Sequence, residues 1–533
     1  MVDPRHTETA READEHLAIL PGADAAFLFA LAQVILSEGL AAHAEIARLA
    51  DGFDALASRL APFTPERVAG STGLDAATIR RIAREFVQAR TSTVYSRVGV
   101  CNNEHGTLAT LATDVLNLVG GRLGAIGGAT FPSSVFDARP ILKLTAADGH
   151  NRWRSRVRNL PETFGDLPAA TLADEIETPG TGQIRAMVTY AGNPVLSTPN
   201  GRRLAAAFAQ LDFMVAVDIY VNETTRHADI ILPPAWGLCE DHVDLIASNA
   251  LVRNVARWSP PVLPKPAGAY ADWEIILELA YRLGGGPTGL KPLDWAFRQA
   301  RRVGLRWKPD STIDMLVRLG PYGDRYLPGG RGLNLKKLKR HPHGLDLGPL
   351  QPGIRHRVAY PNGKLRLDAP LLLSAIDDLA ATLDRPAVAG ELRLIGRREL
   401  RSNNSWMHNV PALVAGKDRC VLLVHPDDAA RAGIRDGDTA ILESRVHQGE
   451  VPVKISTEMR PGVVSLPHGW GHAASAPWQQ VAGAHAGVSC NDWTDEQTVE
   501  AVVGQSILNG LPVRLRAKSP TAVESLAAAA PVN

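Results

Sequence analysis

A glycine-containing turn and an acidic residue lie one predicted strand apart in the chain, and together they have the chemistry of a nucleotide site. The turn is Ala-Gly-Asn-Pro at 191–194, directly after the apolar run 184–190, and Asp218 closes the next apolar run, 213–217. A glycine lets the backbone approach a phosphate closely. The Asp218 carboxylate can accept two hydrogen bonds from the N1–H and N2 amine of guanine, or it can hold ribose hydroxyls. The motif by itself leaves both interpretations open.

The same group of residues occurs twice in the sequence. Residues 2–14 and 217–229 share Val, Asp, Glu, Thr, Arg, Ala and Asp in the same order and with the same spacing. Each shared residue of the second copy lies 215 positions after its counterpart; Asp218, for example, lies 215 positions after Asp3. A Leu-Pro step follows both copies, at 20–21 and 232–233. This coincidence in register indicates two related lobes that bind two related ligands.

The elements around the second copy follow the order strand, turn, helix, strand. A helical pattern at about 201–210 separates the two apolar runs. In a sheet of parallel strands joined by a crossover helix, ligands bind beyond the carboxyl ends of the strands. We therefore expect the turn at 192–194 to lie beside a diphosphate and Asp218 to lie beside a base or a sugar.

The first copy begins very close to the start of the chain. Only Met1 and Val2 precede Asp3, whereas Asp218 closes a full strand. Because a strand usually has about five to six residues, we expect the chain to be the carboxyl-terminal part of a larger protein, or half of a site that another chain completes. A start codon assigned too far downstream would give the same pattern.

The composition is that of a large soluble α/β protein. The 533 residues predict about three to four domains, and 45% apolar residues can build substantial cores. The net charge of +1 argues against nucleic acid or an anionic membrane as the main partner. The longest apolar helix candidate, 25–36, has about half of the roughly 20 residues that a membrane span needs, so no span is predicted.

Metal-binding patterns are weak in this sequence. Cys101, Cys239, Cys420 and Cys490 lie far apart, whereas iron-sulfur and zinc sites usually draw on closely spaced cysteines. We expect buried free thiols and hence a reducing, cytoplasmic compartment. The His-Gly-Trp-Gly-His segment at 468–472 has the spacing of a helical metal pair, but its two glycines favour a turn. No metal ligand is predicted.

From about residue 391 the pattern changes to short strands separated by glycine-containing turns, which suggests a closed barrel. The predicted strands are 421–424, 439–443, 451–455 and 463–466. A polar segment, 401–409, interrupts this pattern. It is either a polar loop with one packed Trp or a wall of hydrogen-bonding groups that faces a polar heterocycle.

These features together resemble the molybdopterin oxidoreductases of the dimethyl sulfoxide reductase class, which include formate dehydrogenases and nitrate reductases. The motifs are the duplicated Asp-x4-Glu-Thr, the turn at 191–194, Ala-Asp-Ile-Ile-Leu-Pro at 228–233, His-Pro-Asp-Asp-Ala at 425–429 and Pro-Gly at 461–462. The resemblance covers nearly the whole chain. It implies an α/β fold of two pseudo-symmetric Rossmann-like lobes with parallel sheets, followed by a C-terminal, double-psi-like β-barrel.

The resemblance also implies a cofactor, two molybdopterin guanine dinucleotides around one molybdenum or tungsten ion, with one guanine in each lobe and the barrel over both pterins. Asp3 and Asp218 would then read guanine. The implied contacts are Arg5, Thr7, Gly22 and Asp24 for the first dinucleotide, Gly192, Asn193, Pro194, Thr224 and Asp229 for the second, and Asn403, Asn404, Ser405, Trp406, Met407, His408, Asn409 and Asn491 for the pterins.

The predicted domain organisation combines the patterns with the resemblance. Helices are predicted over 23–37, 75–89 and 106–119, and a strand over 93–100. The predicted domains are a first dinucleotide-binding lobe at 1–130, incomplete at its start, a connection at 131–181, a second such lobe at 182–320, a loop-rich connection at 321–388, the dinucleotide-binding barrel at 389–520 and a tail at 521–533.

Two departures from the family pattern bear on catalysis. The family's four-iron four-sulfur cluster and its metal-ligating residue fall in a region before the start of this chain. In formate dehydrogenases a substrate-binding Arg follows a Gly-Val-x5-Gly pattern, and the matching position here is Leu111, which cannot pair with a carboxylate. His105 and His408 are candidates for proton transfer, or they hold cofactor or structure.

We therefore expect a molybdenum-dependent oxidoreductase that acts on a small substrate, with a redox partner protein and without nucleic acid, and that is incomplete as this chain alone. The alternative is a non-catalytic fragment that binds the cofactor or docks to a partner. A nicotinamide dehydrogenase is disfavoured, because no Gly-x-Gly-x-x-Gly follows a predicted strand.

Overall fold

The structure is a computed structural model that describes residues 1–137, 139–144, 147–245, 247–385, 388 and 390–518. It has helices and parallel sheets ahead of a closed barrel. The predicted α/β fold class with a C-terminal barrel is thus confirmed. The predicted tail at 521–533 lies outside the described residues, and the other domain boundaries stay predictions.

Helices dominate the described chain before residue 130. They are Glu8–Arg11 (α1), Asp24–Ser37 (α2), His43–Leu49 (α3), Phe53–Leu60 (α4), Pro65–Thr72 (α5), Ala76–Gln88 (α6), Val98–Cys101 (α7) and Gly106–Val119 (α8), with the short strand Ala50–Asp51 (β1). The apolar helices α2 and α8 pack against each other, and Phe29 of α2 contacts Phe63 with ring centroids 5.3 Å apart. The helices predicted over 23–37, 75–89 and 106–119 are confirmed as α2, α6 and α8.

The predicted strand over 93–100 is wrong. Residues 93–97 form no strand, and α7 begins at Val98. The Asn117 side chain takes the place of a neighbouring strand, because its Oδ1 accepts the Val94 N–H at 3.0 Å and its Nδ2 donates to the Val94 carbonyl at 2.9 Å. The backbone of this segment is thus satisfied without sheet pairing.

A short connection leads to the second lobe. Its elements are Arg139–Leu144 (α9), His150–Arg154 (β2), Pro161–Thr163 (β3) and Leu172–Glu177 (α10). Strands β2 and β3 form an antiparallel hairpin. Helix α10 packs against the next lobe through Ala173 and Ile176.

The second lobe is built on a three-stranded parallel sheet. Its elements are Ala186–Tyr190 (β4), Pro194–Ser197 (α11), Gly201–Phe208 (α12), Phe213–Val217 (β5) and Ile230–Ile231 (β6). The strand order is β4-β5-β6. Leu204 and Phe208 of α12 are buried in a core with Met187 of β4. The predicted order of strand, turn, helix and strand is confirmed, and the parallel strands bring the turn at 191–194 and Asp218 to one sheet edge.

Short strands and amphipathic helices make up residues 242–380. They are His242–Val243 (β7), Asn254–Ala256 (β8), Trp258–Ser259 (β9), Asp272–Arg282 (α13), Lys291–Arg302 (α14), Pro309–Leu319 (α15), Leu335–Lys339 (α16), Leu345–Gly348 (β10), Leu365–Arg366 (β11) and Pro370–Ala380 (α17). Strand β11 pairs with β1 in parallel, which ties this region back to the first lobe.

Residues 392–517 form a closed barrel with the strand order β12-β16-β13-β15-β14-β17. Its elements are Leu392–Arg397 (β12), Pro411–Val414 (α18), Leu422–Val424 (β13), Pro426–Ala432 (α19), Thr439–Glu443 (β14), Gln448–Ile455 (β15), Val463–Pro467 (β16), Gln480–Ala484 (α20) and Asn509–Ala517 (β17). The four strands predicted within 421–466 are confirmed as β13 to β16. In the described residues, no helix is long and apolar enough to cross a membrane.

Candidate functional site

The two copies of the repeat have the same backbone hydrogen bonds. Leu232 donates its N–H to the Ala216 carbonyl at 2.8 Å, and Leu17 donates to the Met1 carbonyl at 2.8 Å. Three more backbone hydrogen bonds are repeated at the offset of 215 residues. In the first copy the N–H groups of Arg11, Glu12 and Ala13 donate to the carbonyls of Thr7, Thr9 and Ala10. In the second copy the N–H groups of Arg226, His227 and Ala228 donate to the carbonyls of Asn222, Thr224 and Thr225. The duplication is therefore present in the fold as well as in the sequence.

The two Leu-Pro steps are not equivalent. Leu17, and not Leu20, takes the position of Leu232, and the Leu20 N–H bonds instead to the Thr72 carbonyl at 2.9 Å. The interpretation of these steps as part of the repeat is wrong, because they lie at different distances from the aspartates that close the two strands.

Side chains of the second lobe and of the barrel line one pocket at the carboxyl ends of β4 and β5, which we call the second-lobe pocket. Its lining residues are Ala191, Gly192, Asn193, Asp218, Tyr220, Asn222, Glu223, Ser405, Trp406, His472 and Gln479. Gly192, Asn193 and Asp218 of the predicted dinucleotide site thus meet Ser405 and Trp406 of the predicted pterin contacts in one place.

Asp218 is buried at the base of this pocket. Its Oδ1 accepts the N–H groups of Ile219 at 2.6 Å and Tyr220 at 3.2 Å, and its Oδ2 accepts the Asn222 Nδ2 at 3.0 Å. Burial raises the pKa of Asp218, although these hydrogen bonds oppose the shift. Because a carboxylate has about four acceptor positions, Asp218 retains capacity to accept a hydrogen bond from a ligand.

The turn at 191–194 is held in a strained shape beside Asp218. Ala191 has a φ of +47°, which an L residue adopts at a cost. The Asn193 Nδ2 donates to Glu223 Oε2 at 2.7 Å, and Asn193 Oδ1 accepts the Thr224 hydroxyl at 2.7 Å. A Cβ on Gly192 would lie 3.6 Å from the Tyr190 carbonyl oxygen and 4.0 Å from Pro194 Cδ, in ordinary van der Waals contact with the turn itself.

A buried chain of hydrogen bonds joins Glu223 to the barrel. Glu223 Oε1 lies 3.2 Å from His472 Nδ1, and His472 Nε2 lies 2.8 Å from His408 Nδ1. His408 Nε2 in turn lies 2.9 Å from Ser402 Oγ. All four side chains are buried. We call them the histidine chain.

The electrostatics of the histidine chain favour a neutral His408 and a charged Glu223. Burial, together with the neighbouring His472, lowers the pKa of His408 to about 4. Burial by itself raises the pKa of Glu223, but hydrogen bonds from His472, Ser475 and Asn193 reverse this and lower it overall. The carboxylate therefore carries its charge at neutral pH.

The polar segment 401–409 contributes to the pocket through only some of its residues. Ser405 and Trp406 line the pocket, and the Trp406 side chain is half-exposed. His408 belongs to the histidine chain, and Asn409 Nδ2 donates to Gln479 Oε1 at 2.5 Å. Asn403 and Asn404 have positive φ values in an exposed turn, and the Met407 N–H bonds to the Ser402 carbonyl.

Several predicted cofactor residues have structural partners elsewhere in the structure. Asp229 Oδ2 accepts the Met214 N–H at 2.7 Å, at the amino end of β5, whereas Asp218 follows its carboxyl end. The structure therefore does not bring Asp229 to the pocket. Asn491 Nδ2 donates to the Leu196 carbonyl at 2.7 Å, and Pro194 is the first residue of α11. These residues hold the helix that follows the turn.

The first copy faces another part of the barrel. Asp3 Oδ1 accepts the Arg5 N–H at 2.8 Å, and burial raises the pKa of Asp3 as it does that of Asp218. The Arg5 side chain pairs with Glu458 at 3.4 Å, at the turn between β15 and β16. Thr7 caps α1 by accepting the Ala10 N–H at 3.2 Å. Arg5 and Thr7 thus already have partners within the protein.

A cavity of about 600 Å³ lies between the first lobe and the barrel. Its wall includes Gly22, with a φ of +90°, and His105. Burial lowers the pKa of His105, against the raising effect of Glu104 and Glu500. Of the five residues predicted for the first dinucleotide, only Gly22 lines this cavity.

Asp24 begins α2 close to this cavity and to Asp3. It accepts the Asn103 Nδ2 at 3.2 Å. Burial raises the pKa of Asp24 to about 6, and the charge of Asp3 adds to this effect. The first copy therefore places two carboxyl groups near each other, whereas the second copy places Asp218 beside a side-chain amide.

Six pocket residues were not among the predicted contacts: Ala191, Tyr220, Asn222, Glu223, His472 and Gln479. Glu223 had a signal, because the Glu-Thr pair is shared by both copies. His472 stood out only by its spacing from His468, and Gln479 had no local signal.

The prediction that the four cysteines are buried is correct only in part, whereas the prediction that residues 468–472 form a turn is confirmed. Cys420 and Cys490 are buried, but Cys101 and Cys239 are half-buried, so the expectation of burial is wrong for these two. Cys101 ends the short helix α7, and Cys239 lies in a surface turn. Gly469 and Gly471 have positive φ values, which confirms a turn at 468–472. Within the described residues, no group of three or more His, Cys, Asp and Glu side chains could hold a metal ion.

Comparison with protein families gives two matches. Residues 1–282 match the model for molybdopterin oxidoreductase, and residues 392–510 match the model for a molydopterin dinucleotide binding domain. The first match spans more than half of the chain and contains both copies of the repeat. The second contains most of the barrel.

Curated relatives align over most of this chain. The assimilatory nitrate reductase catalytic subunit of Bacillus subtilis is 25% identical over an alignment of 498 residues that covers 89% of this chain and 66% of that protein. The F420-dependent formate dehydrogenase subunit alpha of Methanocaldococcus jannaschii is 27% identical, over 88% of this chain and 67% of that protein. Formate dehydrogenase H of Escherichia coli is 27% identical, over 88% and 64%. The chain thus spans about two thirds of the length of these relatives.

A solved structure shares the fold. Acetylene hydratase from Pelobacter acetylenicus superposes with a TM-score of 0.72 at 19% sequence identity, over 97% of this chain and 73% of that chain. The arrangement of lobes and barrel described above is therefore that of a known architecture.

Proposed function

Because this chain belongs to the molybdopterin oxidoreductase family, we propose that its two lobes bind the two halves of a bis-molybdopterin guanine dinucleotide cofactor. In this proposal the chain forms the cofactor-holding part of an enzyme that passes two electrons between a molybdenum or tungsten centre and a small substrate. The observation that carries the proposal is the second-lobe pocket, where Asp218 and the turn at 191–194 face Trp406 of the barrel.

The residue types of the second-lobe pocket suit a guanine nucleotide, but its volume of about 30 Å³ is below the range of about 300–1,000 Å³ typical of small-molecule sites, so binding requires the pocket to open. Asp218 keeps one acceptor position, on Oδ2, for a hydrogen bond from the N1–H or the N2 amine of the base. Gly192 lines the pocket without a side chain, so its backbone can approach a diphosphate closely. The half-exposed indole of Trp406 offers a face on which a planar heterocycle can stack. A carboxylate, a glycine-containing turn and an aromatic face are what recognition of such a ligand requires.

The site that we propose for the first dinucleotide differs from the second-lobe pocket. The cavity of about 600 Å³ beside Gly22 lies within the range of about 300–1,000 Å³ that is typical of small-molecule sites. Asp3 and Asp24 lie near it, and burial raises the pKa of both. We assign the first dinucleotide to this cavity, with Asp3 as the counterpart of Asp218.

When bound, the cofactor supplies a metal centre that passes two electrons and exchanges an oxygen atom or a hydride with the substrate. The residues of this chain bind and orient it. Asp218 and Asp3 hold its purine ends, and Asn193 and Glu223 fix the turn beside the diphosphate. His105 lines the first cavity and is the candidate of this chain for holding a proton.

The proposal also concerns the substrate, the partner protein and the cellular location. Leu111, at the position of the Arg that binds formate in relatives, packs against the core of the first lobe, so formate is not the substrate that we propose. A redox partner protein is proposed because relatives are named as subunits of larger enzymes. The four free thiols support a cytoplasmic location. The iron-sulfur cluster stays a prediction.

Guanine binding provides the test. GDP is titrated calorimetrically into the full chain produced in a host that makes no molybdopterin. Asp218→Asn is compared with Asp212→Asn, whose carboxylate is exposed in the same lobe. We expect Asp218→Asn to weaken GDP binding by about 5- to 150-fold, which corresponds to a loss of about 1–3 kcal/mol, while Asp212→Asn and wild type bind alike.

Metal analysis of the protein from its own host completes the test. Molybdenum or tungsten together with guanine released on acid hydrolysis supports the proposal. Guanine binding without metal would point to the non-catalytic alternative, and wild-type protein that binds neither GDP nor cofactor would refute both.

A further inference from the structure

The histidine chain has one consistent direction of hydrogen bonding. Glu223 is a carboxylate that only accepts, so His472 donates its Nδ1–H. The Nε2 of a neutral His472 then accepts the Nδ1–H of His408, and the Nε2 of His408 accepts the Ser402 hydroxyl. Every group in this arrangement is satisfied.

The reverse direction leaves a buried donor without a partner. If His408 donated from Nε2 to Ser402, the Ser402 hydroxyl hydrogen would need another acceptor. Its oxygen has no second hydrogen-bond partner among the residues that the structure describes, and Ser402 is buried. An unsatisfied buried hydroxyl costs about 1–3 kcal/mol. The geometry therefore assigns a proton to Nδ1 of both imidazoles, with each Nε2 as the acceptor.

The histidine chain ties together the two walls of the second-lobe pocket. At one end, Glu223 holds the Asn193 amide and thereby the strained turn. At the other end, His408 belongs to the same short segment as Ser405 and Trp406, which line the opposite wall. His408 also packs against Trp470, with ring centroids 4.3 Å apart. The turn and the indole wall are thus linked through two imidazole rings.

The first copy of the repeat has no counterpart of this chain. Glu8, the equivalent of Glu223, is exposed, with 79% of its side chain accessible. Its charge neighbours are Arg5 and Arg11. The histidine chain is therefore not a requirement of the repeated motif but a property of the second-lobe pocket.

We propose that His472 and His408 are positioning residues of the second-lobe pocket, which keep Glu223 aimed at Asn193 and so hold the turn and the Trp406 wall in their ligand-binding arrangement. This inference rests on the proposed function of the pocket as a guanine nucleotide site. It adds a specific role for two side chains that contact the ligand only through others.

Two substitutions of His472 separate this role from simple packing. Asn places an amide near the position of Nδ1 and can still donate to Glu223, whereas Gln reaches the position of Nε2 and loses that donor. Both remove the ring, so a packing role predicts similar effects. We expect His472→Gln to weaken GDP binding about 10-fold or more, a loss of about 1.4 kcal/mol, and His472→Asn to stay within about 3-fold of wild type.

The GDP titrations of wild type and of the two His472 variants distinguish the proposed function from the positioning role. Wild type that binds no GDP overturns the proposed function, and with it this role. Wild type that binds GDP while both His472 variants bind equally well, or are weakened equally, overturns the positioning role alone. Asp218→Asn in the same titration shows that the measured binding is at this pocket.

A spectroscopic measurement tests the proton assignment without any ligand. In protein with 15N-labelled histidine, the resonances lost in His408→Gln and in His472→Asn identify the two rings. We expect both rings to have a protonated Nδ1 and an unprotonated Nε2 at neutral pH. A protonated Nε2 on either ring would overturn the assigned direction, and unfolding of a variant is checked by its thermal transition.

Discussion

Replacing Asn193 with Asp tests whether the turn at 191–194 depends on Glu223. In the structure the Asn193 Nδ2 lies 2.7 Å from Glu223 Oε2. Aspartate would put a second carboxylate oxygen in this place. Two unit charges at 2.7 Å repel by about 6 kcal/mol at an effective dielectric constant of about 20. The folded pair avoids this cost by keeping one proton between the two carboxyl groups.

The retained proton makes stability depend on pH with a definite sign. Both carboxyls ionise near pH 4 in the unfolded chain, whereas the folded pair has a raised pKa. A raised pKa in the folded state contributes stability at low pH, which is lost as the pH rises. From about pH 5 to about pH 8 the free energy of unfolding of Asn193→Asp should fall by about 1.4 kcal/mol per pH unit, or about 4 kcal/mol in all.

Urea unfolding of the second lobe at several pH values measures this effect. Asn193→Ala is the matched control, because it removes the same amide without adding charge, and it should show the pH dependence of wild type. A pH profile of Asn193→Asp that runs parallel to that of Asn193→Ala would refute the contact between the turn and a charged Glu223.

Two further predictions concern the first lobe and the thiols. The Asn117 amide now satisfies the carbonyls of Val94 and Thr113. Asn117→Asp puts a carboxylate against these carbonyls, so the free energy of unfolding should fall by about 3 kcal/mol. Thr93→Ala, which removes a hydroxyl with only weak contacts, is the control, and equal losses in both variants would contradict the role of Asn117. Burial raises the pKa of Cys420 and Cys490 to about 12. A thiol reagent at neutral pH should therefore modify the half-buried Cys101 and Cys239 in the native protein, and Cys420 and Cys490 only after denaturation. Equal rates at all four would contradict this.

Local patterns were sufficient to predict the second lobe and most of the barrel. The apolar run at 213–217 forms β5, and the predicted barrel strands differ from the observed ones by a few residues at most. Each of these elements has its own periodicity and its own turn residues, so the information lies within about ten residues. The position of Asp218 at the end of β5 followed from the same pattern.

The pocket's supporting contacts could not be predicted in this way. Glu223 and His472 are 249 residues apart, and His408 and His472 are 64 apart. Their contact depends on how the barrel docks on the lobe, and no local periodicity encodes docking. Asp229 has the place of a ligand residue in the motif, whereas the strand direction puts it at the amino end of β5, away from Asp218; its predicted contact with the cofactor stays a prediction.

The first lobe shows how one side chain can change the outcome of a pattern. The run at 93–100 contains the β-branched and aromatic residues that favour a strand, but the Asn117 amide pairs with both backbone groups of Val94. An amide on a neighbouring helix can thus replace a strand partner, and only the packing of α8 reveals it.

The barrel touches the two copies of the repeat through unrelated surfaces. Arg11 pairs with Glu458, while its counterpart Arg226 donates to the Ala474 carbonyl. The barrel therefore contacts these two equivalent arginines through different segments, once through a carboxylate and once through a backbone carbonyl. If the two motifs hold two identical ligand halves, as we propose, those halves would lie in unlike surroundings, and a substitution at Glu458 is expected to affect the first half more than the second.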